Sequence, residues 1–144
     1  MEAASMIKLV SDSRVENIPL IGGAVRGIAG TLSLDETSSY HLELCVVEAV
    51  TNVVKHAYHG QAGHCVEVEI LCRQDRITFH IHDLGECMTP SKAQMPKFDP
   101  EDLETIPEHG MGRFIMDALM DEVHYETANG RNTLTLTKFF KKGK

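Results

Sequence analysis

The chain has 144 residues, the size of one ordinary domain, so a single unit spanning 1–144 is expected. Its 42% apolar and 24% charged content is that of a globular protein rather than a disordered one. Lys plus Arg number 14 against 21 Asp plus Glu, a net charge of −7, which argues against general nucleic-acid binding and against docking on an anionic membrane.

Cys45, Cys65, Cys72 and Cys87 form no CxxC pair and no paired zinc spacing, so free thiols in a reducing, cytoplasmic setting are expected. The opening MEAASMIKLVSDSR lacks the charged and apolar regions of a secretory signal. No apolar run reaches the roughly 18 residues of a membrane span.

In chain order, residues 6–10 suit an opening strand. Glu16 to about Leu32 reads as a helix with Pro19 in its first turn, where proline is tolerated. Gly22, Gly23 and Gly27 weaken that helix unless they permit close packing. Asp35 to Tyr58 is the strongest helix: Asp35 can cap it, and Leu42, Cys45, Val46, Ala49, Val50 and Val53 share one face. Residues 65–71 and 76–82 alternate with period two about a short hairpin turn. Residues 86–109 hold Pro90, Pro96, Pro100 and Pro107 and little periodicity, as in a functional lid or a surface insertion. Gly112 to about Met120 reads as a helix entered from a glycine loop, Asn129-Gly130 as a turn, and 133–140 as a last strand. Helices beside an antiparallel sheet predict an α+β fold, a two-layer sandwich.

Three features carry chemistry. Glu48 and Asn52 stack on one helix face, and Lys55 and His56 continue the stripe. A carboxylate can serve as base, an amide oxygen as ligand to a hard cation, and an ammonium as a point charge for phosphate. Asp83-Leu84-Gly85 puts an acceptor at a strand end, with room beside it for a ring to approach the backbone. Gly110-Met111-Gly112 stands before a helix, whose first N–H groups suit an anion. Taken singly, each has an ordinary explanation: a solvated helix edge, a turn and a packing turn.

Their order gives them weight. A Glu/Asn/Lys helix, a strand with Asp-x-Gly, a long loop and Gly-x-Gly opening a helix together resemble the GHKL ATPase and kinase superfamily. Within it, Glu48-Ala49-Val50-Thr51-Asn52-Val53-Val54-Lys55-His56-Ala57-Tyr58 closely follows the first ATP-binding box of the anti-sigma-factor serine/threonine kinases. Leu119 to Val123 with Tyr125 is similar to the family's end of the helix after the glycine loop. The resemblance covers roughly 14–138 and implies the histidine-kinase-like (Bergerat) fold.

It also implies ATP and Mg²⁺ as ligands. Asn52 would coordinate Mg²⁺, and Glu48 would act as general base toward a serine or threonine hydroxyl. Lys55 would lie near the phosphates, and His56 would be structural. Asp83 would accept from the adenine amino group, Gly85 would give the ring room, and Gly110 and Gly112 would offer N–H groups to the phosphates. Residues 86–109 would form the ATP lid. The implied partners are an anti-sigma-factor antagonist of the STAS type as substrate, a competing sigma factor, and a second copy in a homodimer. The chain departs from the family pattern at Glu86-Cys87-Met88, where a further Gly or Pro is usual. It departs again in the glycine loop, where Met111 replaces the usual Arg and Arg113 follows, able to reach a phosphate or to face the partner protein. These departures leave a second reading open, a non-catalytic partner-switch binding module. An autonomous ATPase is a third reading, disfavoured by the small size and the lack of a transducer domain.

Other features have plain accounts. His80-x-His82, with Glu67 or Glu69 opposite on the hairpin, fits the polar alternation of an exposed strand face more simply than a metal site. Met111, Met116 and Met120 have core spacing, and Lys138, Lys141, Lys142 and Lys144 make a solvated basic end. His56 and His59 suit the negative end of a helix. Cys87 is the thiol whose reactivity merits a check.

Overall fold

A computed structural model describes residues 4–87 and 112–140. Strand β1 (Ser5–Asp12) leads through a short turn at Val15–Asn17 into helix α1 (Ile18–Thr31), with Pro19 in its first turn. Helix α2 (Glu36–Asn52) begins where the Asp35 carboxylate accepts the Ser38 N–H at 2.7 Å, satisfying a backbone donor that the helix itself cannot. Strands β2 (Cys65–Cys72) and β3 (Arg76–Asp83) form the expected hairpin, closed by Arg73 N–H donating to the Arg76 carbonyl at 2.9 Å. Helix α3 (Gly112–Leu119) then precedes strands β4 (Glu122–Ala128) and β5 (Arg131–Phe139). The two-residue loop between them is Asn129-Gly130, both with positive φ (55° and 75°), the turn that matches strand twist.

The sheet order is β1-β2-β3-β5-β4, with every neighbouring pair antiparallel. Both helical layers lie on one face, as the α+β sandwich predicts. Val66, Val68 and Ile70 of β2, Ile77, Phe79 and Ile81 of β3, and Leu134 and Leu136 of β5 are buried under Leu42, Cys45, Val46, Ala49 and Val50 of α2. Ile18, Ile21, Val25 and Ala29 of α1 complete this core. Each fully buried large aliphatic or aromatic side chain adds about 1.5–3 kcal/mol over an exposed one.

Three expectations need correction. The α-helical repeat stops at Asn52, and Val53–Ala57 form a wider π-turn in which Tyr58 N–H donates to the Val53 carbonyl at 3.0 Å. The stripe of Glu48 and Asn52 therefore does not run straight on: Lys55 and His56 are exposed on the π-turn. Leu119 to Val123 with Tyr125, likened to the end of a helix, holds only the last helical residue, Leu119; Glu122–Ala128 is an edge strand. Val123, Tyr125 and Thr127 alternate on its inner face, but only Val123 and Tyr125 pack against the core. Of the helix α1 glycines, only Gly22 permits a close approach: a Cβ there would stand 2.8 Å from Val47 Cγ2, whereas Gly23 and Gly27 have open space.

Candidate functional site

The three sequence segments meet at one end of α2. Helix α3 starts directly on the Glu48–Asn52 face. A Cβ built on Gly112 would come within 2.9 Å of Glu48 Oε2 and 3.3 Å of Asn52 Nδ2, so a residue without a side chain is what lets the two helices touch there. One turn further on, Gly85 lies against the π-turn. A Cβ on Gly85 would fall 2.5 Å from the Ala57 carbonyl oxygen, and Glu86 N–H donates to that same oxygen at 2.9 Å. Ala57 ends the helical segment, so its carbonyl has no partner within the helix and is available to the loop.

Asp83 ends β3 on the inner face and is buried, 3% exposed. Its Oδ1 accepts from Gly85 N–H at 2.9 Å and from Asn132 Nδ2 at 2.8 Å. Asn132 Nδ2 also donates to the Gly85 carbonyl at 3.0 Å, and Asn132 Oδ1 accepts from Thr127 Oγ1 at 2.8 Å. These residues stand in one register row, Val66–Asp83–Asn132–Thr127, across β2, β3, β5 and β4. Burying a carboxylate unpaired would cost several kcal/mol, and this fan of donors offsets that cost. Tyr58 holds the loop from the other side. Its hydroxyl donates to the Cys65 carbonyl at 2.6 Å and accepts Leu84 N–H at 2.8 Å, and its ring stacks on His64 at 4.5 Å. Burial pushes the Tyr58 hydroxyl pKa up and the Asp83 charge adds in the same direction, while the Leu84 N–H opposes them.

Glu48 and Asn52 are half-buried beside Gly112. Burial, with the Glu48 charge adding to it, pushes the neighbouring Cys45 thiol up to about 12, so this thiol is inert. Lys55 has no ion-pair partner among the described residues. Arg113 binds both Asp117 oxygens, at 3.1 and 3.2 Å, rather than reaching toward Glu48. Gly110 and nearly all of the expected lid lie outside the described residues.

The arrangement fits a nucleotide with a metal ion. It offers a fixed carboxylate at a strand end, a helix N-terminus, and a carboxylate and an amide on one face. A cavity of about 580 Å³ lies elsewhere, lined by Asp35, Leu42, Leu119, Lys138 and Phe140 among others, and by none of the predicted site residues.

Sequence reasoning missed Asn132, Thr127 and Tyr58. Asn132 carried a usable signal: counting back by two from Leu136 and Leu134 places it on the core face, where a lone amide needs a partner.

Comparison with known proteins agrees with the fold. Residues 12–138 match the histidine kinase-like ATPase domain. This chain belongs to that family, in its anti-sigma-factor serine kinase branch. Among family members, the serine-protein kinase RsbW of Bacillus licheniformis is 30% identical over 142 residues, covering 95% of this chain and 87% of the relative. That of Bacillus pumilus is 29% identical, covering 96% and 88%. A crystal structure of RsbU and RsbW domains from Mycobacterium tuberculosis superposes with a TM-score of 0.66 at 14% identity. The superposition spans 94% of this chain but 32% of that longer one, and shows the shared fold. ATP binding is the activity of the family as a whole. Among the described residues, no helix is long and apolar enough to cross a membrane.

Proposed function

We propose that this chain is an ATP-dependent protein serine/threonine kinase that phosphorylates an anti-sigma-factor antagonist. In this reading it is a cytoplasmic homodimer that also binds a sigma factor, so phosphorylation decides which partner it holds. The observation that carries the proposal is the contact of Gly112 with Glu48 and Asn52, beside an Asp83 fixed by Asn132. The names of the Bacillus relatives support serine as the acceptor.

Bound Mg-ATP would supply the phosphoryl group and the metal charge that neutralises it. Asn52 would hold the metal through its amide oxygen. Glu48, one turn away, would take the proton of the attacking hydroxyl. The first N–H groups of α3 would face the phosphates, with Gly110 beside them and Lys55 adding a mobile positive charge. Asp83 would accept from the base amino group, held still by its hydrogen bonds to Asn132 and Gly85. Arg113 would have to release Asp117 to contribute, and that pairing favours a supporting role for it. Residues 86–109 would cover the bound nucleotide.

Calorimetric titration of Mg-ATP into the protein tests the site. Binding is expected, and Asn52→Ala and Asp83→Asn should each weaken it. Absence of binding by a folded wild-type sample would leave the non-catalytic module. Phosphotransfer is tested separately with the antagonist as acceptor. Glu48→Gln should slow it by about 10²–10⁴-fold, the usual contribution of a general base, with nucleotide affinity retained. An unchanged rate would remove Glu48 from that role.

A further inference from the structure

The sheet face away from the helices carries a cluster that the nucleotide site does not use. Glu67 and Glu69 project from β2, and His82 stands directly across from Glu67 on β3. His82 Nε2 lies 3.9 Å from Glu67 Oε2 and 4.0 Å from Glu69 Oε1, and all three side chains are largely buried, 13–22% exposed. Polar alternation explains why such residues face outward. It does not explain why three potential ligands point at one spot.

We propose that Glu67, Glu69 and His82 form a binding site for a divalent transition metal, with Zn²⁺ the best match. His82 Nδ1 is hydrogen-bonded to Thr133 Oγ1 at 2.8 Å. In the tautomer that donates from Nδ1, the Nε2 lone pair faces the two carboxylates. A partner that fixes one ring nitrogen while the other faces outward is the arrangement seen at metal-binding histidines.

The distances are compatible. Two donors on one tetrahedral zinc, with bonds of about 2.0–2.2 Å, stand about 3.4 Å apart. The two histidine–carboxylate separations exceed that by about half an ångström, and all three ligand atoms lie within 4.8 Å of one another, a spread that side-chain rotations must close. A cleft of about 110 Å³ lined by Glu67, His82, Cys65, Leu84, Asp83 and Arg131 opens beside the cluster and has room for a water as fourth ligand. Imidazole suits zinc and is a poor ligand for Mg²⁺, which takes oxygen, so this site and the nucleotide's metal differ in kind. Arg131 Nη2 holds Glu67 Oε2 at 3.1 Å and Lys8 Nζ stands 3.8 Å from Glu69 Oε2. These cations balance the carboxylates without the ion, and Arg131 would compete with it directly. A bound ion would tie β2 to β3 next to Asp83.

The test uses the full chain, stripped of metal in reducing buffer and titrated with Zn²⁺ against a chromophoric chelator, with Mg²⁺ as control. Expected are a single equivalent of bound Zn²⁺, no displacement by excess Mg²⁺, and visible bands from bound Co²⁺ without a thiolate charge-transfer band. Glu69→Gln and His82→Gln should each weaken Zn²⁺ binding at least about tenfold. Thr133→Val should do so by about 10–100-fold through the loss of His82 orientation. Arg131→Ala should tighten it. Thr133→Val leaves all three ligands in place, so it remains informative if a ligand variant misfolds. No zinc binding, a thiolate band with Co²⁺, or affinity indifferent to both His82→Gln and Thr133→Val would overturn the site. Nucleotide binding plays no part in the readout, so this proposal stands or falls apart from the kinase reading.

Discussion

The same strands present two different chemistries to their two faces. Toward the helices, β2, β3 and β5 show Val68, Ile70, Phe79, Ile81, Leu134 and Leu136, all buried. Away from them, the alternate positions show Glu67, Glu69, His80, His82, Thr133 and Thr135. The inner face departs from this rule toward the strand ends, and at one of them Asp83 and Asn132 continue the apolar rows as a buried hydrogen-bonded pair. That departure is informative because buried polar groups are costly. The sheet is stabilised by its apolar centre, and its polar end is where the proposed nucleotide site lies.

Substitutions can probe this division. The largest loss of stability is expected at the apolar centre: Phe79→Ala should cost about 3–5 kcal/mol in urea unfolding. His124→Ala, on the exposed edge strand, should change stability by no more than about 0.5 kcal/mol. Similar losses for the two would mean that the faces are not energetically distinct.

Gly85→Ala tests the polar end. The added methyl would meet the Ala57 carbonyl, a backbone atom, at 2.5 Å, so loop or π-turn must shift. Overpacking of this kind costs about 1–3 kcal/mol, and amide exchange at Glu86 should quicken as its bond to Ala57 loosens. Unaltered exchange with full stability would show that the contact is not a constraint.

The smallest effect is in alkaline solution. Cys45 keeps its proton to about 12 when folded, against an ordinary 9.0. The unfolded chain therefore loses that proton first, and stability should fall as pH rises through the ordinary value. The raised values of Cys72 and Tyr58 act in the same direction. Cys45→Ala should make the fall between about pH 8 and about pH 10 shallower. A slope that Cys45→Ala leaves unaltered would show that this thiol does not sense burial as described.

How far the sequence could be read follows from the same physics. The buried face of α2 was legible because five apolar side chains recur at helical spacing, and the β2–β3 hairpin because its alternation is strict. Strand β4 was not, because an exposed edge strand with only Val123 and Tyr125 packed on the core carries little apolar signal. The π-turn was hidden because Val53, Val54 and Ala57 satisfy an α-helical pattern equally well. For the site, Glu48, Asn52, Asp83, Gly85 and Gly112 could be picked out by type and order. Spacing along the chain could not show that Gly112 sits on Glu48, or that Asn132, from a strand formed much later in the chain, holds Asp83.

The two glycine contacts have a topological consequence. The stretch between Glu86 and Gly112 is moored at both ends to one structural element, through Ala57 after α2 and through Glu48 and Asn52 within it. The distance between the two moorings is therefore set by α2 and the turn that follows it, not by the length of chain that joins them.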